Sequence, residues 1–203
     1  GKRIGSVTPN SNQLLFGNKN KHIVPIIGIN QYGPYDTGTT PKVHFFYIVH
    51  KDDKQAAETI HKYLNGKAPG FKGLSKFIHI PYHPDKKLAI YYTDKTNPWP
   101  EVYAQINDTD FDPDIKYFAI YVSPISKDAT NIEQKRIYYR IKELLLKKGV
   151  SSQVIDAIKL SKNKKPHYNL PNIAIAILAK LNGTPWRLDS AIKRELVVGV
   201  GAF

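Results

Sequence analysis

The sequence contains no cysteine, which excludes disulfide bonds and thiolate metal sites. It also lacks any run of the roughly 20 apolar residues that a membrane-spanning helix needs, and no signal peptide stands at its start. We therefore expect a cytoplasmic protein with no membrane partner. Methionine is absent even at position 1, and residues 195–203 have the pattern of a buried strand. Both features predict a piece of a longer chain.

Positive charge is in large excess. Lys and Arg number 30 against 17 Asp and Glu, which gives a formal net charge of +13 and a pI near 9.7. Cationic surfaces attract phosphates at long range, so this excess predicts a polyanionic partner such as a nucleic acid. The alternative is a basic protein that has no such partner.

The hydrophobic pattern changes near residue 41. Residues 1–40 are rich in Gly, Asn, Pro and Thr and predict an extended arm. Beyond them, apolar runs that predict strands alternate with amphipathic stretches that predict helices. The predicted strands are Val43–Val49, Phe77–Ile80, Leu88–Tyr92, Tyr117–Val122 and Val154–Ile158; the predicted helices cover 56–64, 100–106, 130–148 and 172–181. This alternation is typical of an α/β fold with a mainly parallel sheet flanked by helices.

Two side chains with binding chemistry share a face of the helix predicted over 130–148. Tyr138 and Lys142 are four residues apart, so they lie one turn from each other. This helix follows a strand and the loop 123–130, and in parallel sheets ligands gather outside the carboxyl ends of strands. A tyrosine ring can stack on a base and an ammonium group can pair with a phosphate. The pair therefore suits a terminal nucleotide.

Gln153 follows the turn at Gly149, just ahead of the next predicted strand, and Lys180 lies near the C-terminal end of the next predicted helix. Lys180 lies on the apolar stripe of the helix predicted over 172–181. The residue types alone leave structural alternatives open: Lys180 complementing the helix dipole, Tyr138 as a core tyrosine and Lys142 as a solvated lysine.

The order of these four residues resembles the Tyr-Lys-Gln-Lys set of Argonaute MID domains. The flanking segments LLLKKGVSSQV and NIAIAILAKLNGTPWRL are similar to prokaryotic Argonautes, and residues 14–36 resemble the linker that precedes MID. The resemblance implies a Rossmann-like MID domain over 41–183, a linker arm over 1–40 and the start of the RNase H-like PIWI domain over 184–203. It further implies that Tyr138, Lys142, Gln153 and Lys180 bind the 5′-phosphate of a guide strand, with Tyr138 stacking on the first base.

The same resemblance implies partners and a cofactor. The partners are a short guide RNA or DNA, its complementary target, the remainder of PIWI and an associated effector protein of the kind found in prokaryotic defence. A divalent cation such as Mg²⁺ is expected at the guide 5′ end. The loop 123–130 is expected to contact the first base.

One position departs from the pattern of cleaving Argonautes. Those members carry a catalytic aspartate where this sequence has Gly201, in the stretch Val198-Gly199-Val200-Gly201. Glycine has no side chain with which to hold the metal ions of two-metal nuclease chemistry. We therefore predict a guide-binding protein without slicer activity. The rival readings are an active guide-directed endonuclease whose other carboxylates lie elsewhere in PIWI, and a sequence-independent nucleic-acid binding module.

The remaining candidates are weaker. Seven histidines are scattered along the chain and predict no zinc site, since none forms a ligand pair on a predicted helix. His79 and His83 are four residues apart but flank Pro81 and Pro84, where a strand is predicted to end. The basic run Lys162–Lys165 and His167 is typical of a solvated loop. Phosphate-binding glycine loops are absent.

Overall fold

The structure, a computed structural model, describes residues 13–38, 42–126, 130–157 and 169–189. Its strands are β1 (Leu14–Leu15), β2 (Lys21–His22), β3 (Val43–His50), β4 (His83–Pro84), β5 (Ile90–Tyr92), β6 (Lys116–Ser123), β7 (Ser151–Asp156) and β8 (Arg187–Leu188). Its helices are α1 (Pro25–Tyr32), α2 (Lys54–Leu64), α3 (Leu74–Phe77), α4 (Trp99–Asn107), α5 (Ile132–Lys147) and α6 (Leu170–Lys180).

A five-stranded parallel sheet forms the centre of the fold. β3 and β6 pair along their length, β7 continues the sheet beyond β6, and the short strands β4 and β5 both pair with the other edge of β3. Every pairing is parallel, as the alternation of strands and helices predicted. The strands that follow β3 in the chain, β4 and β5, lie on one side of it, and the strand that follows β6 lies on the opposite side of the sheet. This reversal of strand order is typical of doubly wound folds.

Alternate residues of the central strands face two helical layers. Phe45 and Phe118 face a core formed with α2, α3 and α6. Phe46 and Tyr121 face a second core formed with α4 and α5. Strands buried on both faces read as continuous apolar runs, which is why the predicted strands over 43–49 and 117–122 agree with β3 and β6. Among the described residues, no helix is long and apolar enough to cross a membrane.

The described part of the N-terminal arm is joined to the core. β1 lies between β2 and β8 in a small antiparallel sheet, and Asp36 pairs with Thr184. Helix α1, which the sequence analysis did not predict, brings Ile29 into the same core cluster as Phe16. The arm is therefore extended in part only, because its apolar side chains find partners that are distant in sequence.

Two predicted strands differ from the structure. Residues 77–80 were predicted as a strand, but α3 occupies Leu74–Phe77 because Leu74, Phe77 and Ile78 are buried at helical spacing. The strand predicted from Leu88 begins at Ile90, since Asp85 caps a 3₁₀ turn over Lys86–Leu88 by accepting from Lys87 N at 3.0 Å.

Helix α5 has a different N-cap from the one its sequence suggested. Thr130 and Glu133 have capping-box spacing, yet the N-cap is Asn131, whose side chain accepts from the backbone N–H groups of Glu133 (2.9 Å) and Gln134 (3.2 Å). At the other end Gly149 adopts φ 71°, and Val150 N donates to Leu145 O at 2.8 Å. The turn ends the helix and leads directly into β7.

We expect Asn131→Ala to lower the free energy of unfolding by ~1 kcal/mol, because two N–H groups lose their acceptor. In thermal unfolding this corresponds to a midpoint lower by about 2–4 °C for a chain of this size. Thr130→Ala is the matched control and is expected to be neutral. An equal loss in both variants would show that the assigned cap is wrong.

Candidate functional site

Tyr138 and Lys142 lie together on α5, as their spacing predicted. The Lys142 Nζ atom is 5.6 Å from the centre of the Tyr138 ring and 5.9 Å from that of the Tyr139 ring. The Tyr138 side chain is buried, with 8% of its surface exposed. It faces the sheet, where the hydroxyl-bearing Tyr121 of β6 is also buried. The buried Tyr138 ring thus contacts the Lys142 ammonium from the side of the sheet, in a cation–π arrangement.

Gln153 lies within β7 rather than ahead of a strand. The strand begins at Ser151, so Gln153 pairs in register with Ile120 at the middle of β6. Gly149 accounts for this shift, because its positive φ lets the chain turn into the sheet within two residues. The apolar pattern of the sequence predicts a strand that starts only at Val154.

Lys180 joins Gln153 across the outer edge of β7. Its Nζ donates to Gln153 Oε1 (2.8 Å) and to Ser152 O (2.6 Å), and Gln153 Nε2 donates to Val154 O (3.0 Å). In the part of the chain that the structure describes, β7 pairs only with β6, so these carbonyl groups lack a strand partner. The two side chains therefore satisfy the edge of the sheet as well as meeting each other.

The two lysines form a positively charged site. The end of the Lys180 side chain packs against β7; desolvation of its ammonium, followed by repulsion from Lys142, lowers the pKa of Lys180. Neither lysine is within ion-pair distance of a carboxylate among the described residues. A dianionic group placed between them would offset both the repulsion and the missing counter-charge.

The structure therefore pairs Tyr138 with Lys142 and Gln153 with Lys180, and the two lysines are close enough to repel each other, although the pairs do not lie where the sequence predicts. The lysine contacts lie beside the middle of the edge strand, not beyond the carboxyl ends of the strands. The loop from β6 to α5 begins with a fixed turn, since the buried Ser123 Oγ donates to Ile125 O at 2.8 Å. Its centre, residues 127–129, lies outside the described residues.

A separate cavity of about 340 Å³ lies between α2 and β5. Near its floor, the Tyr82 hydroxyl is 2.8 Å from the Tyr47 hydroxyl and 3.1 Å from His61 Nδ1. Burial raises the pKa of Tyr82 to about 12 and lowers that of His61. Its cations Lys54 and Lys86 are accompanied by Glu58 and Asp85. The cavity consequently lacks the uncompensated positive charge of the lysine site.

No protein-family model matches the chain. A stretch of 72 residues, 34% of the chain, is 44% identical to the protein named argonaute of Cereibacter sphaeroides and covers 9% of that protein. The fold is similar to the Argonaute of Methanocaldococcus jannaschii in complex with guide DNA, with a TM-score of 0.62 and 19% identity over 89% of this chain and 26% of that one. It is equally similar to Clostridium butyricum Argonaute bound to a guide DNA and a 19-mer target DNA, with a TM-score of 0.62 and 20% identity over 92% of this chain and 25% of that one.

The chain is similar to prokaryotic Argonautes, in sequence over 34% of its length and in fold over 89% and 92% of it. The resemblance that its sequence predicted is confirmed, and so is the mixed α/β fold with a mainly parallel sheet. The chain spans about a quarter of the length of the two solved Argonautes and 9% of the curated relative. At 19% and 20% identity, the solved structures establish a shared fold.

The divalent cation expected from the Argonaute resemblance has no ligand set among the described residues. No three His, Asp or Glu side chains are grouped there so as to hold a metal ion. At the lysine site itself, the oxygen donors Gln153 Oε1 and Ser152 O both accept from Lys180, and the neighbouring charges are positive. Such residues fit an anion and do not fit a resident cation.

Several sequence predictions fall outside the described residues. They are Gly201 with the apolar stretch around it, the start of PIWI beyond residue 189, the basic run Lys162–Lys165 and His167. Of the described histidines, His50 is buried and its Nε2 lies 2.7 Å from Thr93 O, a structural contact at the end of β3.

Proposed function

We propose that this chain anchors the 5′-phosphate of a short guide strand, RNA or DNA, and so orients the guide for pairing with a target. Lys142 and Lys180 supply the positive charge, and Gln153 supplies the second N–H of its side-chain amide, since the first is donated to Val154 O. The Tyr138 ring positions the Lys142 ammonium through a cation–π contact. The unit that does this is the MID domain proposed over 41–183, preceded by the linker arm and followed by the start of PIWI.

The observation that carries this proposal is that Lys142 and Lys180, the second of which is bonded to Gln153, have no carboxylate within ion-pair distance among the described residues. Lysines on solvated surfaces usually stay apart or pair with acids, whereas here desolvation of the Lys180 ammonium, followed by repulsion from Lys142, lowers the pKa of Lys180. A terminal phosphate carries up to two negative charges and several acceptor oxygens, more than an internal phosphodiester offers. The charge of the site thus favours the end of a strand over its middle.

The comparisons support the nucleic-acid partner. The solved Argonautes with this fold include one in complex with guide DNA and one bound to guide and target DNA. For the present chain, the excess of 30 basic over 17 acidic residues agrees with such a partner. We further propose that the chain contributes no slicer activity, on the strength of Gly201 in place of the catalytic aspartate. Guide-directed cleavage by the full-length protein would contradict this second proposal.

The direct test compares two single-stranded oligonucleotides that differ only in a 5′-phosphate or a 5′-hydroxyl. We expect the phosphorylated strand to bind the unchanged chain at least about tenfold more tightly, since each charge-assisted hydrogen bond contributes ~1.5–3 kcal/mol. Lys142→Ala should remove most of this difference, measured by fluorescence anisotropy at constant salt.

Lys62→Ala is the matched control, because Lys62 is an exposed lysine on α2 outside the site. It should keep the preference for the phosphate. Equal affinity of the unchanged chain for the two strands, together with a steep dependence on salt, would instead favour a sequence-independent nucleic-acid binding module.

A further inference from the structure

The cavity of about 340 Å³ beside α2 lies at the opposite edge of the sheet from the lysine site. The lysine site is built on β7, whereas the cavity is lined by β3, α2 and the segment that leads from β4 into β5. One face of α2 and alternate residues of β3 supply most of its inner wall, namely Lys54, Ala57, Glu58 and His61 with Tyr47 and Val49. Its volume is near the lower end of the ~300–1,000 Å³ that small-molecule sites occupy, so it suits a ligand built on a single ring.

Small side chains account for the open space. Ala57 of α2 and Ala89, just before β5, both line the cavity, where a longer apolar residue would occupy part of it. Pro84 extends this apolar wall, and the rings of Tyr47 and Tyr91 complete it. Apolar and aromatic walls favour a flat apolar body, because rings gain both buried area and ring–ring contacts.

One part of the lining is polar but uncharged. The Tyr82 hydroxyl links two lining residues, since it is 2.8 Å from the Tyr47 hydroxyl and 3.1 Å from His61 Nδ1. Desolvation by burial raises the pKa of Tyr47 and Tyr82 and is the largest cause of the lowered pKa of His61, so all three are mainly neutral near neutral pH. The other ring nitrogen, His61 Nε2, makes no hydrogen bond with the described residues. It is a donor in one neutral tautomer and an acceptor in the other.

The charges around the cavity balance each other. Lys54 and Lys86 are matched by Glu58 and Asp85, so an ionic ligand would meet repulsion as well as attraction. A hydroxyl group both donates and accepts, and it therefore suits His61 in either tautomer. The lining thus favours an uncharged ring that carries a hydroxyl group.

We infer that this cavity binds a small neutral phenol, with its ring between Ala57 and Ala89 and its hydroxyl toward Tyr47 and His61. The same chemistry is offered by a free phenol and by the side chain of a tyrosine in a partner protein. The inference goes beyond the proposed function and does not depend on it, because the two sites lie at different edges of the sheet.

The test measures binding of p-cresol to the 203-residue chain by saturation-transfer difference NMR and by calorimetry. Toluene has the same shape without the hydroxyl, and we expect it to bind about three- to tenfold more weakly, as the loss of one neutral hydrogen bond implies. Tyr47→Phe should weaken p-cresol by a similar factor and leave toluene unchanged. A purely structural effect of this variant would weaken both probes.

Ala57→Leu fills the cavity from α2 and should abolish binding of both probes. Ala56→Leu is the matched control, because it makes the same change at the neighbouring residue of α2, which does not line the cavity. The inference is wrong if p-cresol does not bind the unchanged chain, or if it binds Ala57→Leu equally well. Melting temperatures check that both variants fold; if Ala57→Leu does not, the comparison of p-cresol with toluene in Tyr47→Phe decides.

Two further arms identify the source of the ligand and the place where it binds. N-acetyltyrosinamide carries the same phenol on a peptide backbone, so binding as tight as that of p-cresol would point to a tyrosine of a partner protein, and binding of p-cresol alone to a free phenol. A 5′-phosphorylated strand should not displace p-cresol. Displacement would place p-cresol in the lysine site and contradict the inference, whereas a missing preference for the 5′-phosphate would overturn only the proposed function.

Discussion

Replacing Lys142 and Lys180 together with alanine is expected to weaken binding of a 5′-phosphorylated oligonucleotide by about 100-fold or more. Each lost charge-assisted hydrogen bond removes ~1.5–3 kcal/mol, and a factor of ten in affinity corresponds to about 1.4 kcal/mol. The two effects need not add, since both ammonium groups act on one phosphate. Binding of the 5′-hydroxyl strand should fall far less. Titrations of the single and double variants with both strands measure the difference.

The matched control for this double variant is Lys62→Ala with Lys67→Ala. It removes the same two charges from the exposed end of α2 and the turn after it, away from β7. If both double variants weaken binding equally, the loss reflects the net charge of the chain and not a phosphate site. A stability check is also needed, because Lys180 satisfies Ser152 O at the edge of the sheet.

Much of the fold could be predicted from the sequence because its signals are local. Strands buried on both faces, such as β3 and β6, produce apolar runs that few other structures produce. The register of α5 follows from its helical period, which is why Tyr138 and Lys142 meet as expected. The prediction of a strand over 77–80 is wrong because a short apolar run fits the period of a strand as well as that of a helix. Only when Leu74 is included does the helical spacing become visible.

The details of the site depend on contacts that no local pattern encodes. The resemblance to the Argonautes predicts that Gln153 and Lys180 lie in one site. In the structure, Lys180 Nζ lies 2.8 Å from Gln153 Oε1. The burial of Tyr138 depends on its packing above β6, and Lys180 bonds to Ser152 O on the side of β7 that has no strand partner among the described residues. Tyr139, whose ring centre lies 5.9 Å from the Lys142 ammonium, was not among the predicted site residues, although the two are three residues apart on a helix.

The arm shows how distant contacts override local composition. Glycine, asparagine and proline predicted an extended segment, yet Pro25 starts helix α1 and Gly28 allows it to approach the core closely. A Cβ atom on Gly28 would lie 2.3 Å from the Phe16 ring, so the ring occupies the space that a side chain would fill. Composition describes the flexibility of such a segment and says nothing about the partner that orders it.

We expect Phe16→Ala to lower the free energy of unfolding by ~3–5 kcal/mol, the range for emptying a buried aromatic site. Phe16 is fully buried; its ring centre is 6.2 Å from that of Trp186, and it belongs to the core cluster that contains Phe45 and Ile177. Urea unfolding followed by circular dichroism would measure the change in one transition.

Ile27→Ala makes the best control, because Ile27 belongs to the same arm but is 51% exposed and should cost little. The comparison decides where the folded unit begins. A linker merely lying on the surface would detach in Phe16→Ala and leave the main transition unchanged. If instead the main transition shifts to lower urea and Ile27→Ala does not shift it, residues before 41 are part of the cooperative core. The domain that carries Lys142 and Lys180 would then start inside the arm, because the Phe16 ring lies in the same apolar cluster as α6.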